Sequence, residues 1–164
     1  MSIVFASIYG VLHDQFTYSV SHEYYNRFKF DQFGLGYDPT RDSVDPRAIV
    51  VLVGVMATWW FGALMGIVLA VVGLAHKSAM QMFKLSLRAL MVILCIAILF
   101  GFVGLGLGYY HLYMRDLLWY IPEGLVDRRA FVAVGSMHNF SYLGGLVGLL
   151  AGVVYSVIQI RRNR

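Results

Sequence analysis

His13 and Asp14 stand side by side in "VLHDQFTYSV", Glu23 follows in "SHEYY", His111 lies in "GYYHLY" and His138 in "SMHNFSYLGG". Each stretch is part of, or borders, a long apolar run. Ionisable groups in or near hydrocarbon are costly and mark a functional site by default. Imidazoles and carboxylates converging from separate helices form a donor set for a transition metal such as Zn, Cu or Fe. The same groups can take up and release protons. The candidate site is therefore His13, Asp14, Glu23, His111 and His138, with Gln15, Thr17, His22, Tyr24 and Asn139 as supporting polar groups. The competing reading of the histidines and tyrosines is that they anchor helix ends at the interface. No HExxH, CxxCH, GxSxG or phosphate-binding glycine loop accompanies them, so no reaction is assigned and the chain is not assigned as an enzyme.

These residues must be positioned by membrane helices. The 164-residue chain is 59% hydrophobic and 13% charged with a mean hydropathy of +0.68, too little polar surface for a water-soluble domain. Stretches 48–75, 90–108 and 140–160 meet the ~20 apolar residues needed to cross a bilayer. The first segment is apolar only over 3–12 before His13 and Asp14 interrupt it. No Lys or Arg precedes it and no small-residue cleavage site follows, so it is read as a retained spanning helix rather than a signal peptide. The expectation is an all-α, single-domain, four-transmembrane-helix bundle with helices at about 3–26, 48–75, 88–111 and 138–160, and outer loops at about 27–47 and 112–137.

Basic residues orient it. Lys77, Lys84 and Arg88 between the second and third helices, and Arg161, Arg162 and Arg164 at the C-terminus, have no acidic neighbours. Both termini are expected in the cytoplasm of a bacterial cell, with the chain multi-pass in the inner membrane. The first outer loop is balanced, Arg27, Lys29, Arg41 and Arg47 against Asp31, Asp38, Asp42 and Asp45. The net charge of +4 is thus a topology signal and implies no nucleic-acid partner. The single Cys95 leaves no internal disulfide and is assigned to packing.

At about 1.5 Å per residue, His13 and Asp14 fall roughly 15 Å deep, near the midplane. Glu23, His111 and His138 fall at the outer boundary, which predicts two polar layers. Asp14 at mid-depth requires a partner. Glycines four apart, Gly62 and Gly66, Gly104 and Gly108, then Gly144, Gly148 and Gly152, predict close helix approach. Asp45 and Pro46 predict a capped start to the second helix. Leu117 to Ile121 predict a short interfacial helix, and Trp59 and Trp60 bulky mid-helix packing.

The run "YGVLHDQFTYSVSHEYYNRFKFDQF" and the later "HNFSYLGG" resemble a group of small bacterial membrane proteins with an HDQxT element followed by EYF or EYY in the first helix. In that resemblance His13, Asp14, Gln15, Thr17, Glu23, Tyr24, His138 and Asn139 occupy motif positions. It implies a retained first helix and a four-helix layout, and no particular activity. The functional expectation is a polar, metal-binding or proton-handling site near the outer face of the bilayer. The alternatives are an accessory subunit of a larger membrane complex, a homo-oligomer included, or a component of a transporter or channel.

Overall fold

The computed structural model describes residues 1–37 and 43–162. Asp38, Arg41, Asp42 and Arg164, counted above in the charge balance, lie outside them. Among the described residues the secondary structure is entirely helical. Three helices are long and apolar enough to cross a membrane, Pro46–Gly73, Ala79–Tyr110 and Arg128–Arg162. Their outward faces carry exposed Ile67, Val71, Phe102 and Leu150, the surface expected of helices solvated by lipid tails.

The N-terminal helix α1 (Ser2–Val20) is shorter than the predicted 3–26. Ser21 adopts an extended backbone, φ −145 and ψ 102, and its hydroxyl accepts from Tyr24 N to cap a new short turn, α2 (His22–Tyr24). Serine competes for backbone donors in this way, which makes it a helix start as readily as a helix interior residue. A π-helical turn (Tyr25–Lys29) and α3 (Phe30–Gln32) follow. Gly34 then ends the segment at φ 69, a conformation only glycine adopts freely. The chain after Val20 therefore does not continue outward. It folds back, so that the Tyr25 hydroxyl donates to the carbonyl of Asp14 at 3.1 Å.

The next helix, α4 (Pro46–Gly73), begins at the predicted proline, with the Asp45 carboxylate accepting from Arg47 N at 2.9 Å. Helix α5 (Ala79–Tyr110) starts well before 88, capped by the Ser78 hydroxyl on Gln81 N. Helix α6 (Arg128–Arg162) starts well before 138, where Asp127 accepts from Ala130 N at 2.9 Å. Hydropathy marks the apolar middle of these helices and misses their polar, capped first turns. Leu117 to Ile121 form no helix; a single 3-10 turn, Leu112–Met114, precedes irregular chain. Trp119 turns inward there and stacks on Phe131, centroids 5.8 Å apart at 13°.

The four long helices associate as two pairs. A Cβ at Gly54 of α4 would lie 2.8 Å from the Gly10 backbone of α1, and one at Gly62 would lie 2.9 Å from Ile3 Cα. In the other pair a Cβ at Gly104 of α5 would meet Ser136 O at 2.6 Å, and one at Gly148 of α6 would meet Ile93 Cα at 2.8 Å. Small residues at these points let the backbones touch. Contact between the pairs is sparse by comparison. An aromatic core around Tyr18, Tyr25, Phe30 and Phe131 fills the end carrying the α1–α4 and α5–α6 connections, here the loop end. An aliphatic core of Met65, Leu69, Leu90 and Ile93 fills the opposite, terminal end. The seam between pairs runs through both.

Candidate functional site

Between these two cores, a charged cluster bridges the seam between the helix pairs. The long α6 places His138 about 15 Å from that helix's start at Arg128. His138 therefore stands level with Asp14, and the two predicted polar layers merge at this point. The Asp14 carboxylate is 2% exposed, its Oδ1 3.0 Å from His138 Nε2. The third member is Lys29, 3% exposed and delivered by the folded-back segment. Its ammonium donates to Asp14 Oδ1 at 2.9 Å, to Oδ2 at 2.8 Å and to His138 Nε2 at 2.6 Å. All three of its protons are used.

The proton positions follow from the acceptors. His138 Nδ1 faces the Val134 carbonyl at 2.8 Å and must donate to it, which leaves Nε2 bare in the neutral ring. A proton moved from Lys29 Nζ to His138 Nε2 would then be donated to Asp14 instead. Both arrangements keep Asp14 paired within the same frame of heavy atoms. On the other side, Tyr9 donates to Ser141 Oγ at 3.1 Å. Ser141 Oγ lies 3.2 Å from His13 Nε2, and His13 Nδ1 faces Asp14 Oδ1 at 3.4 Å. Donors can thus be ordered in one sense, Tyr9 to Ser141 to His13 to Asp14. Thr17 lies 2.7 Å from the Tyr25 hydroxyl and holds that side of the cluster.

His13, Asp14 and His138 stand close enough for one metal ion, each offering a ligand atom within 4.8 Å of the others. The Lys29 ammonium, however, already contacts both Asp14 and His138 Nε2. A buried ammonium between a carboxylate and a bare imidazole nitrogen supplies the positive charge that a metal would bring. An incoming metal would have to displace it.

Two spaces flank the cluster. Toward the terminal end, a cavity of about 50 Å³ lies between the helix pairs, lined by Gly10, Ala57, Phe61, Met65, Leu94 and Ala97. His13, Asp14, Lys29, His138 and Ser141 line its other end, where a water would find partners, while the apolar walls beyond offer none. Toward the loop end, a more open cleft of about 260 Å³ reaches Lys29 and His138 between Tyr24, Trp119, Asn139 and Tyr142. The site is closed on one side and approachable on the other.

Of the predicted residues, the structure brings His13, Asp14 and His138 together, with Thr17 and Tyr24 against them. Tyr24 stacks on the His138 ring, centroids 5.1 Å apart at 23°. Asn139 is exposed on the cleft wall. Glu23 stands elsewhere, its two oxygens accepting from Val126 N at 2.9 Å and Asp127 N at 2.8 Å just before α6. His111 is exposed at the C-terminal end of α5. His22 is exposed and packs edge-on against Tyr18. Gln15 donates to the Arg47 carbonyl and accepts from its guanidinium, tying α1 to the start of α4. Sequence reasoning missed Lys29, Tyr9 and Ser141. The signal for Lys29 was the unmet need of Asp14 for a cation, with the nearest basic residues in the following loop. Comparison with known protein families, with curated proteins and with solved structures finds no match for this chain.

Proposed function

We propose that the chain is a bacterial inner-membrane protein, a four-helix bundle with both termini cytoplasmic, and that it works as a proton-handling centre. Asp14 is the fixed anion, and Lys29 and His138 are the two alternative seats of a shared proton. The supporting observation is the 2.6 Å approach of Lys29 Nζ to a bare His138 Nε2, with Asp14 bonded to Lys29 and its Oδ1 3.0 Å from Nε2, in place to accept from the ring once the proton has moved there. The cleft at the loop end would connect the centre to the outside, and the apolar cavity would insulate it from the cytoplasm. The HDQ and HNF elements, on which the family resemblance rests, contain Asp14 and His138.

Infrared difference spectroscopy of the protein in nanodiscs, stepped between about pH 3 and 10, tests this. Interacting sites titrate as a set, so bands of the Asp14 carboxylate and the His138 ring should change in one step. That step should vanish in both Asp14→Asn and His138→Gln. A cluster with no spectral change across this range would end the proton reading. A second reading, a resident metal, draws on the mutual spacing of His13, Asp14 and His138. One equivalent of Zn, Cu or Fe in purified protein, lost on His138→Gln, would put it first.

A further inference from the structure

The cleft above the cluster has a composition that the proton-handling reading does not use. Its walls are aromatic: Tyr24, Phe28, Trp119 and Tyr142, with Lys29 and His138 at the floor. Trp119 lies directly over Gly135, where any Cβ would collide with the indole ring. At the inner edge Tyr142 stacks on Trp60, centroids 6.1 Å apart at 24°. Trp60 is 47% exposed near the middle of α4. The aromatic wall therefore runs from the buried cluster to the lipid-facing surface, and what enters along it comes from the bilayer.

The polar groups restrict the occupant further. Asp14 already balances Lys29, so the floor carries no free charge and a buried phosphate or carboxylate would find no counter-ion. Asn139 presents an amide on the cleft wall, and an amide at this depth needs a partner. An uncharged oxygen acceptor such as a carbonyl meets that need. The volume, about 260 Å³, is just below the ~300–1,000 Å³ of pockets for drug-sized ligands. It suits a single small ring rather than a whole lipid headgroup. Flat aromatic walls select a flat ring by stacking.

We infer that this cleft binds the headgroup of a lipid quinone, a planar carbonyl-bearing ring carried on an apolar tail, with a ring carbonyl on the Asn139 amide and the ring against Trp119 and Tyr24. The site shares Lys29 and His138 with the proton-handling centre, but binding is read by a signal that does not depend on protonation.

The probe is a decyl-substituted benzoquinone added to the protein in nanodiscs, with tryptophan fluorescence as the readout, since quinones quench indole. Wild type should show a saturable component on top of the linear quenching of lipid-exposed Trp59 and Trp60. Trp119→Phe should abolish the saturable component. Asn139→Leu, a change at an exposed position that leaves the core intact, should weaken it about tenfold, the loss of one hydrogen bond in a dry site. Competition separates the ring from the tail: decylbenzene should not displace the quinone. Purely linear quenching, saturation that survives Trp119→Phe, or displacement by decylbenzene at equal concentration would each overturn the inference, the last by making the cleft an acyl-chain groove.

Discussion

Asp14 holds the cluster together because its carboxylate lies within bonding distance of Lys29, His138 and His13 together. Removing one partner of a buried ion pair leaves the other charge uncompensated, at a cost of about 3–5 kcal/mol. Asp14→Asn and Lys29→Met should each lower the thermal midpoint in detergent by that magnitude of destabilisation. The double variant should recover much of the loss, because the pair and not either charge is what the fold tolerates. Additive losses would mean that each side chain packs independently. Thr17→Val, which leaves the Tyr25 hydroxyl without its 2.7 Å neighbour, should cost about 1 kcal/mol in the same assay. Asp14's need for a counter-charge was legible in the sequence; the identity of that counter-charge was not. Lys29 sits among acids and other bases in a stretch that balances to near neutrality, and composition cannot tell a solvated lysine from one that the chain folds back and buries.

Helix ends, more than helix middles, determine what the site contains. A start of α6 at 138 would leave His138 at the membrane surface, whereas the observed start at Arg128 lowers it to Asp14. The missed signal is Asp127, a cap residue ahead of two arginines that disguise the first turn in a hydropathy reading. The break at Ser21 escaped notice for a related reason, since Thr17, Tyr18 and Ser19 before it are all compatible with a continuing helix. Glu23 serves the same end of α6 by accepting from two free amides at the positive end of the helix. Glu23→Gln should cost about 1 kcal/mol, and hydrogen exchange should speed up at residues 126–130 while the middle of α6 is unchanged. The spacing of glycines within the pairs allows a contrast of its own. Gly54→Leu would drive a side chain into the Gly10 backbone and should separate α1 from α4, whereas Gly106→Ala meets open space and should leave the melting curve unmoved.

At the scale of the whole molecule, composition alone indicated the membrane class, and the positions of the three longest apolar helices followed from hydropathy. The pairing of the helices was not legible, because α4, α5 and α6 each carry glycines four apart that suit several partners and α1 carries Gly10 alone. Between the pairs, polar bonds bridge the seam: Tyr142 donates to the Ala57 carbonyl at 2.8 Å and Tyr9 to Ser141 at 3.1 Å. Tyr142→Phe with Ser141→Ala should loosen the seam by about 1–2 kcal/mol and increase proteolysis between the pairs without separating α5 from α6. Topology is checked by labelling in intact cells on a Cys95→Ser background. A cysteine at Glu123 should react with a membrane-impermeant maleimide, and one at Ser78 should be protected.

The seam also dictates an order of assembly. His138 lies 109 residues beyond Lys29 and 124 beyond Asp14, so the cluster can form only after the last helix has been synthesised and inserted. Until then Lys29, 15 residues beyond Asp14, can already pair with the carboxylate, but its third proton has no acceptor. An unfinished copy is thus neutral at this point and one bond short, and it is the arrival of His138 that turns a local ion pair into a lock between the two helix pairs.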